Sequence, residues 1–187
     1  MLFRQEVIDD LWIIEPERIH DERGSFARSF CREEFAAHGL CDAFVQHSVS
    51  ISARRHTLRG LHFQKAPHQE VKLVSCIRGE IWDVAVDLRP QSQTYLQWVS
   101  ARLSAENGRQ FYIPQGFAHG FQSLTDDAAV SYLISTAYVA NSSFGVRFDD
   151  PAVGINWPAP PSVMSDRDLA WPGWQSCENS PFKEAQA

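Results

Sequence analysis

Three segments of the chain place polar side chains inside otherwise apolar runs. Burial of a polar group costs several kcal/mol unless it has a hydrogen-bond or charge partner, so such a residue indicates either a partner or a function. Arg59 and His62 flank Gly60, Lys72 stands in the run 71–77, and His119 follows a tight turn at 114–116. Histidine titrates near neutrality and can act as a base, whereas the positive charge of a lysine or arginine can stabilise a negative charge on a bound molecule. Gly60 permits a bulge, although plain alternation would place Arg59 and His62 on opposite faces of their strand. These segments are the candidate positions for proton-transfer chemistry.

The elements that must position these residues are short β-strands. Candidate strands recur through the chain at 71–77, 81–88, 96–103, 110–113, 128–138 and 146–148. In segment 81–88, Asp83 and Asp87 alternate with apolar residues, which predicts a half-exposed strand with an acidic outer face. Short helices are predicted at 32–38 and at 165–170, the second capped by Ser165. Close spacing without intervening long helices predicts an all-β, antiparallel jelly roll with short peripheral helices.

Length and composition describe one ordinary folded domain. The chain has 187 residues, 44% of them hydrophobic, and a formal net charge of −6. We expect residues 1–187 to form a single domain with a frayed tail at 176–187. The lack of a long apolar run argues against a membrane segment, and the acidic balance argues against nucleic-acid binding. The four scattered cysteines are typical of free thiols, so we expect a cytoplasmic protein.

Gly108, Pro114, Gly116 and His119 form a spaced motif in segment 108–123. Their spacing resembles the second signature of the cupin jelly roll, with Ser123 in place of the final Asn. A metal-binding cupin also needs a first signature with two histidines and a nearby glutamate, because an open catalytic metal site takes about three protein ligands. The corresponding segment, 62–64, contains a single histidine. His68 and Glu70 are the candidates to replace the missing metal ligands of this signature, and we expect no metal site.

Nine longer motifs follow one another along the chain: DERGSF (21–26), FVQ (44–46), LRGLHFQ (58–64), KLV (72–74), GEIWDVAVDLR (79–89), IPQGFAHGF (113–121), DP (150–151), INWP (155–158) and SDRD (165–168). With these motifs in this order, the chain resembles the dTDP-4-dehydrorhamnose 3,5-epimerase family over about residues 2 to 172. The resemblance implies a metal-free cupin dimer without a cofactor. It also implies a reaction in which carbons next to the keto group of a thymidine-diphosphate 4-keto-6-deoxy sugar are inverted.

Such an inversion needs a base on one face, an acid on the other and a group that holds the enolate oxygen. By the resemblance, His62 is the base, and a carboxylate fixes its tautomer. Asp168 is the expected partner and Asp166 is the rival. Lys72 and His119 are expected to face the keto oxygen.

The expected acid is Tyr132, which shares an inward strand face with Val130 and Ile134. Tyr138 is placed on the same strand and is expected to line the pocket.

The substrate's diphosphate requires local positive charge, for which Arg23 and Arg59 are the candidates. In the family the Arg-Gly-x-Phe segment reaches the partner's site. Arg23 and Phe26 are therefore expected to complete the neighbouring pocket of a homodimer.

Departures from the family pattern concern substrate contacts. Arg28 stands where an acidic residue is common, and Ser48, after Gln46, stands where Asn is usual. Gln46, Ser48 and Arg28 are retained as substrate-binding candidates. Segments 49–52 and 56–57 also differ, which indicates a remodelled loop over the site. A 3-epimerase is the close alternative, and a metal-dependent cupin oxygenase or isomerase and a non-catalytic sugar-binding cupin are the others.

Overall fold

The chain is described by a computed structural model over residues 1–174. The tail expected at 176–187 and Cys177 lie outside these residues. The strands within 1–174 are β1 (Leu2–Gln5), β2 (Trp12–Glu15), β3 (Arg18–Asp21), β4 (Gly24–Ala27), β5 (Gln46–Ser52), β6 (Leu58–Gln64), β7 (Lys72–Arg78), β8 (Glu80–Asp87), β9 (Trp98–Ser104), β10 (Gln110–Ile113), β11 (Phe117–Ser123), β12 (Ala128–Ile134) and β13 (Ser143–Gly145). The helices are α1 (Arg32–Ala37), α2 (Asp166–Leu169) and a 3-10 turn, Ala140–Ser142.

Two antiparallel sheets pack face to face as a jelly roll. One has the strand order β1-β2-β10-β7-β12-β5 and the other β13-β6-β11-β8-β9, while β3 and β4 form a separate hairpin. The facing sides of the sheets enclose an apolar core in which Phe111 comes from one sheet and Phe121 from the other. Each such side chain contributes about 1.5–3 kcal/mol on burial. The predicted all-β antiparallel fold is confirmed.

The short helices cover the outside of the sheets. Phe35 of α1 is fully buried against Ile14, Leu73 and Tyr112 on the outer face of the six-stranded sheet. Ser165 caps α2, because its hydroxyl accepts a hydrogen bond from the Asp168 backbone N–H at 3.1 Å. No helix in the described part of the chain is long and apolar enough to span a membrane.

The expectation that β8 turns an acidic face to solvent is wrong. Asp83 and Asp87 are both 0% exposed, because each has partners that compensate for its burial. Asp83 pairs with His119, and Asp87 accepts hydrogen bonds from Arg89, Ser92 and Thr94.

Two strand predictions also need correction. The strand predicted at 128–138 ends at Ile134, since Ser135 and Thr136 turn their hydroxyls to the 69–71 backbone and end the ladder. Tyr138 therefore lies on a loop. The strand predicted at 146–148 is displaced to Ser143–Gly145, which pairs with β6.

Gly60 and Gly120 allow β6 and β11 to approach closely. A Cβ on Gly60 would lie 2.5 Å from the Gly120 Cα, and Gly60 has a positive φ of 128° that favours glycine. The pairing register shifts between His119 and Phe121. This irregularity breaks plain alternation, so that Arg59 and His62 reach the same cavity.

Candidate active site

A cavity of about 560 Å³ lies between the two sheets. Strands β5, β7 and β12 form one wall, strands β6 and β11 form the other, and segment 163–168 closes one side. Its lining residues are Ser48, Ser50, Thr57, Leu58, Arg59, His62, Lys72, His119, Phe121, Tyr132, Ile134, Val163, Met164, Ser165, Arg167 and Asp168. Seven of the sequence candidates, from separate parts of the sequence, thus meet in one place: Ser48, Arg59, His62, Lys72, His119, Tyr132 and Asp168.

His62 and Asp168 form a hydrogen-bonded pair at the cavity wall. The separation between His62 Nε2 and Asp168 Oδ1 is 2.6 Å. With Asp168 ionised, Nε2 carries the hydrogen and donates it, which leaves Nδ1 free to accept a proton. Asp166, at the exposed start of α2, makes no such contact.

Asp168 is held as a carboxylate by its surroundings. Burial opposes its ionisation, but the hydrogen bond and charge of His62, together with the Gly60 N–H, outweigh this effect and lower the pKa of Asp168. The Gly60 N–H donates to Asp168 Oδ2 at 3.3 Å. The ionised form is therefore present at neutral pH.

Tyr132 reaches the cavity from the opposite sheet, β12. Its hydroxyl lies 3.3 Å from the Ser50 hydroxyl on the neighbouring strand β5. Burial raises the pKa of Tyr132, so the phenol is the form present at neutral pH. A protonated phenol on one sheet thus faces the cavity together with the His62 imidazole on the other sheet.

Lys72 lines the cavity with a positively charged side chain. Its Nζ forms a 2.8 Å ion pair with Glu70 and donates to the His62 carbonyl oxygen at 3.3 Å. Glu70 in turn accepts a hydrogen bond from Gln64 Nε2 at 2.9 Å. These contacts hold the ammonium group beside the strand that carries His62.

A second histidine–carboxylate pair lies deeper in the cavity. His119 Nε2 and Asp83 Oδ1 are 2.8 Å apart, and both residues are buried. Burial raises the pKa of Asp83, although the nearby His119 and Lys72 charges oppose the effect. Asp83 Oδ2 has no hydrogen-bond partner among the described residues. The sequence prediction missed Asp83, since strict alternation assigned it to solvent.

Two further binding candidates line a neighbouring recess of about 220 Å³. Gln46 Oε1 accepts the Tyr138 backbone N–H, and the Tyr138 side chain is 55% exposed. Arg167 lines both the recess and the main cavity, and it donates to the Ser143 hydroxyl at 3.1 Å. Its hydrogen bond to Tyr138 lowers the pKa of that phenol. The sequence prediction passed over Arg167, although it stands directly before Asp168.

Arg23, Phe26 and Arg28 lie outside the cavity. Arg23 is at the tip of the β3–β4 hairpin, 90% exposed and paired with Asp21. Phe26 is 72% exposed, and Arg28 pairs with Glu34 at 3.2 Å. Within residues 1–174 of a single chain, none of these three side chains lines the cavity that contains His62.

The metal-ligand stand-ins do not form a cluster. Within residues 1–174 there is no group of three or more His, Cys, Asp or Glu side chains that could hold a metal ion. Glu70 is engaged by Lys72 and Gln64. Cys31, Cys41 and Cys76 are free thiols.

The arrangement can move protons on two faces of a bound molecule. A base on one sheet and a phenol on the other can remove and return a proton on opposite sides, and Lys72 can hold negative charge between the two steps.

Known proteins share both the sequence and the fold. The family model for dTDP-4-dehydrorhamnose 3,5-epimerase matches residues 5–176. The chain is 45% identical over 174 residues to dTDP-4-dehydrorhamnose 3,5-epimerase of Sinorhizobium fredii, a match that covers 92% of this chain and 89% of the relative. It is 37% identical over 169 residues to dTDP-4-dehydrorhamnose 3-epimerase of Streptomyces niveus, covering 90% of this chain and 81% of that one.

The structural match is equally extensive. The crystal structure of dTDP-6-deoxy-D-glucose-3,5-epimerase from Legionella pneumophila in complex with dTDP-4-keto-L-rhamnose superposes with a TM-score of 0.92 at 40% identity. The superposition covers 100% of this chain and 99% of that one. The motifs, the cavity and these matches agree, and the chain belongs to the dTDP-4-dehydrorhamnose 3,5-epimerase family.

Proposed function

We propose that the chain inverts carbons 3 and 5 of a thymidine-diphosphate 4-keto-6-deoxy sugar. The observation that carries the proposal is the placement of the His62–Asp168 pair and Tyr132 on opposing sheets of one cavity. Inversion at a carbon beside a ketone needs this arrangement, because the proton leaves on one face and returns on the other.

The proposed steps follow from the contacts. The Nε2–H of His62 stays hydrogen-bonded to Asp168 while Nδ1 takes the carbon-bound proton. The Asp168 carboxylate then stabilises the resulting imidazolium. Lys72 and His119 hold the enolate oxygen as charge develops on it. Tyr132, which lies on the opposing sheet, then donates its proton to the opposite face of the same carbon. The scheme uses side chains alone and requires no metal or redox cofactor.

Substrate binding is assigned to the cations and polar groups around the cavity mouth. Arg59 lines the cavity and donates to the Ile51 carbonyl at 2.9 Å, which orients its guanidinium. A guanidinium can bind a phosphate through two parallel hydrogen bonds. We assign the diphosphate to Arg59, and the sugar contacts to Ser48, Gln46 and Tyr138.

The rest of the nucleotide site is proposed to come from a second copy of the chain in a homodimer. Phe26 is 72% exposed beside Arg23 on a projecting hairpin, and exposed aromatic rings are typical of binding surfaces. Val49, Ile51 and Ile77 are also more than half exposed, on the outer face of the six-stranded sheet. Apolar side chains on the face of a sheet favour burial against a partner. The reducing cytoplasm is the compartment that fits the free thiols.

A 3-epimerase is the second candidate. Ser48 faces the cavity where the family resemblance leads us to expect an asparagine, so one contact to the sugar differs. A changed orientation of the sugar could bring only carbon 3 to the base.

Proton exchange distinguishes these functions. Incubation of the enzyme with thymidine-diphosphate 4-keto-6-deoxyglucose in D₂O should place deuterium at carbons 3 and 5, as read by NMR. Label at carbon 3 alone would establish the 3-epimerase, and no label at either carbon would refute both candidates.

A further inference from the structure

The strand next to His62 has no side chain at the position beside the imidazole. β13 pairs with β6 so that Gly145 lies directly opposite His62. Residues opposite each other in an antiparallel pair project their side chains from the same face, with Cβ atoms about 5 Å apart. Any residue other than glycine at 145 would therefore place its side chain beside the imidazole.

Trp171 occupies the space that Gly145 leaves. A Cβ on residue 145 would lie 2.3 Å from both Cε2 and Nε1 of the Trp171 indole. The indole lies edge-on to the His62 ring, at a centroid separation of 6.5 Å and an interplanar angle of 69°, which is a favourable geometry for an aromatic pair. The glycine thus allows an aromatic ring to pack against the imidazole.

Trp171 also fastens the segment that precedes it to β13. The Arg167 guanidinium lies over the indole at 5.1 Å, within the range of a cation–π contact, and it donates to the Ser143 hydroxyl at 3.1 Å. Ser143 and Gly145 are alternate residues of β13, so the segment has two points of attachment to this strand. Asp168, the hydrogen-bond partner of the imidazole, lies between them in the sequence.

The hydrogen bond to Asp168 does not by itself orient the imidazole. It fixes one ring atom of His62, Nε2, at 2.6 Å, whereas rotation about the second side-chain torsion of histidine is broad. The His62 side chain is also 42% exposed. In the proposed mechanism Nδ1 must point at the carbon-bound proton, so a second contact has to restrict the ring, and the edge-on indole is in place to make it.

We propose that Trp171, packed on Gly145, is a positioning residue that orients the His62–Asp168 pair for proton transfer. Trp171 is not among the residues that line the cavity or the neighbouring recess, so it acts through the pair and not on the substrate. Its indole N–H is buried and has no hydrogen-bond partner among the described residues. The aromatic surface is therefore the feature that this position uses. The inference rests on the proposed function.

The test compares Trp171→Ala, which removes the ring, with Trp171→Phe, which keeps one. Deuterium incorporation into the keto sugar is measured as kcat and KM. For Trp171→Ala we expect kcat to fall by about 10- to 100-fold, since a misplacement of about 1 Å can cost about 10²-fold. KM should stay close to the wild-type value, because no substrate contact is removed. Trp171→Phe should retain most of the wild-type kcat.

Proton NMR of the pair measures the positioning without substrate. The hydrogen on Nε2 of His62 should give a resolved downfield signal in the wild type and in Trp171→Phe, because it is held in a short bond to a carboxylate. In Trp171→Ala the signal should broaden or disappear as the ring gains freedom. Thermal unfolding checks that each variant folds, and Trp171→Leu, which keeps apolar bulk without an aromatic ring, replaces an alanine variant that does not.

A double-mutant cycle distinguishes positioning of the pair from a general structural role. In an Asp168→Asn background, Trp171→Ala should have a much smaller further effect on kcat, because the pair that it orients is already disrupted. A wild-type kcat in Trp171→Ala, a loss confined to KM, an unchanged NMR signal, or an undiminished effect in the Asp168→Asn background would overturn the inference. The absence of any label with the wild type would refute the proposed function, while the NMR comparison would still decide whether Trp171 orients the pair.

Discussion

Replacing Asp168 by asparagine removes the negative charge opposite His62 and keeps the size of the side chain. The structure provides a direct contact for this test, the 2.6 Å separation of Asp168 Oδ1 from His62 Nε2. In the proposed mechanism, the carboxylate stabilises the imidazolium that forms as the proton leaves carbon. Asp168→Asn should therefore slow proton abstraction.

The size of the effect follows from Coulomb's law. Two unit charges about 4 Å apart attract by about 4 kcal/mol at an effective dielectric constant of about 20. The His62 side chain is 42% exposed, and solvent screening reduces this to about 1–2 kcal/mol. Since each 1.36 kcal/mol is a factor of ten in rate, the loss of charge predicts a decrease of about 5- to 30-fold.

That decrease is a lower limit, because asparagine can also select the wrong tautomer. If its amide group donates to Nε2, the imidazole hydrogen moves to Nδ1, the atom that must accept the proton from carbon.

The assay is the initial rate of deuterium incorporation at saturating keto sugar. Asp166→Asn is the matched control: it makes the same chemical change two residues earlier, at an exposed position, and should retain the wild-type rate. Thermal unfolding of both variants separates lost catalysis from lost structure, because Asp168 also accepts the Gly60 N–H. A fully active Asp168→Asn, or an inactive Asp166→Asn, would refute the reasoning.

The remaining predictions concern the acid, a buried carboxylate and acid stability. In Tyr132→Phe, His62 should still exchange the carbon-bound proton with solvent without changing the configuration, while the amount of inverted product falls by about 100-fold or more. If NMR finds that exchange and inversion are lost together, Tyr132 is not an acid that acts separately from the base. Asp87→Asn should lower the free energy of unfolding in urea by about 1–3 kcal/mol, because Arg89 keeps its ion pair with Asp10 but loses its buried, charged acceptor, and an unchanged free energy of unfolding would contradict this. Burial opposes ionisation of Asp87, but its hydrogen bonds lower its pKa in the folded state. Its stabilisation is therefore present above the unfolded pKa and lost as pH falls through the folded one, so stability measured between pH 7 and 3 should decline less steeply in Asp87→Asn than in wild type.

The sequence predicted the central strands because their apolar alternation is strong. Gln110–Ile113 has the predicted bounds, and Tyr132 faces inward with Val130. The N-terminal strands β1 to β5 were not predicted, because they are mostly short and their burial depends on partners distant in sequence. Local patterns carry little information about such pairings.

The candidate site was predictable where a residue's chemistry stands out against its neighbours, as with His62 and Lys72. Asp83 was not, because an alternating aspartate indicates a solvent face unless its partner is known, and His119 lies 36 residues away. Arg167 was also missed, because its neighbours in sequence, Asp166 and Asp168, do not indicate a pocket and only the fold places it at the cavity. The shared orientation of Arg59 and His62 depends on a register shift between β6 and β11.

The most direct test of the central claim is the rate of deuterium incorporation by His62→Ala relative to wild type, with keto sugar in D₂O. If His62 is the base, the rate at both carbons should fall by about 100-fold or more, while the thermal unfolding midpoint stays close to that of wild type because the side chain is partly exposed. An unchanged rate of incorporation in the folded variant would contradict the account.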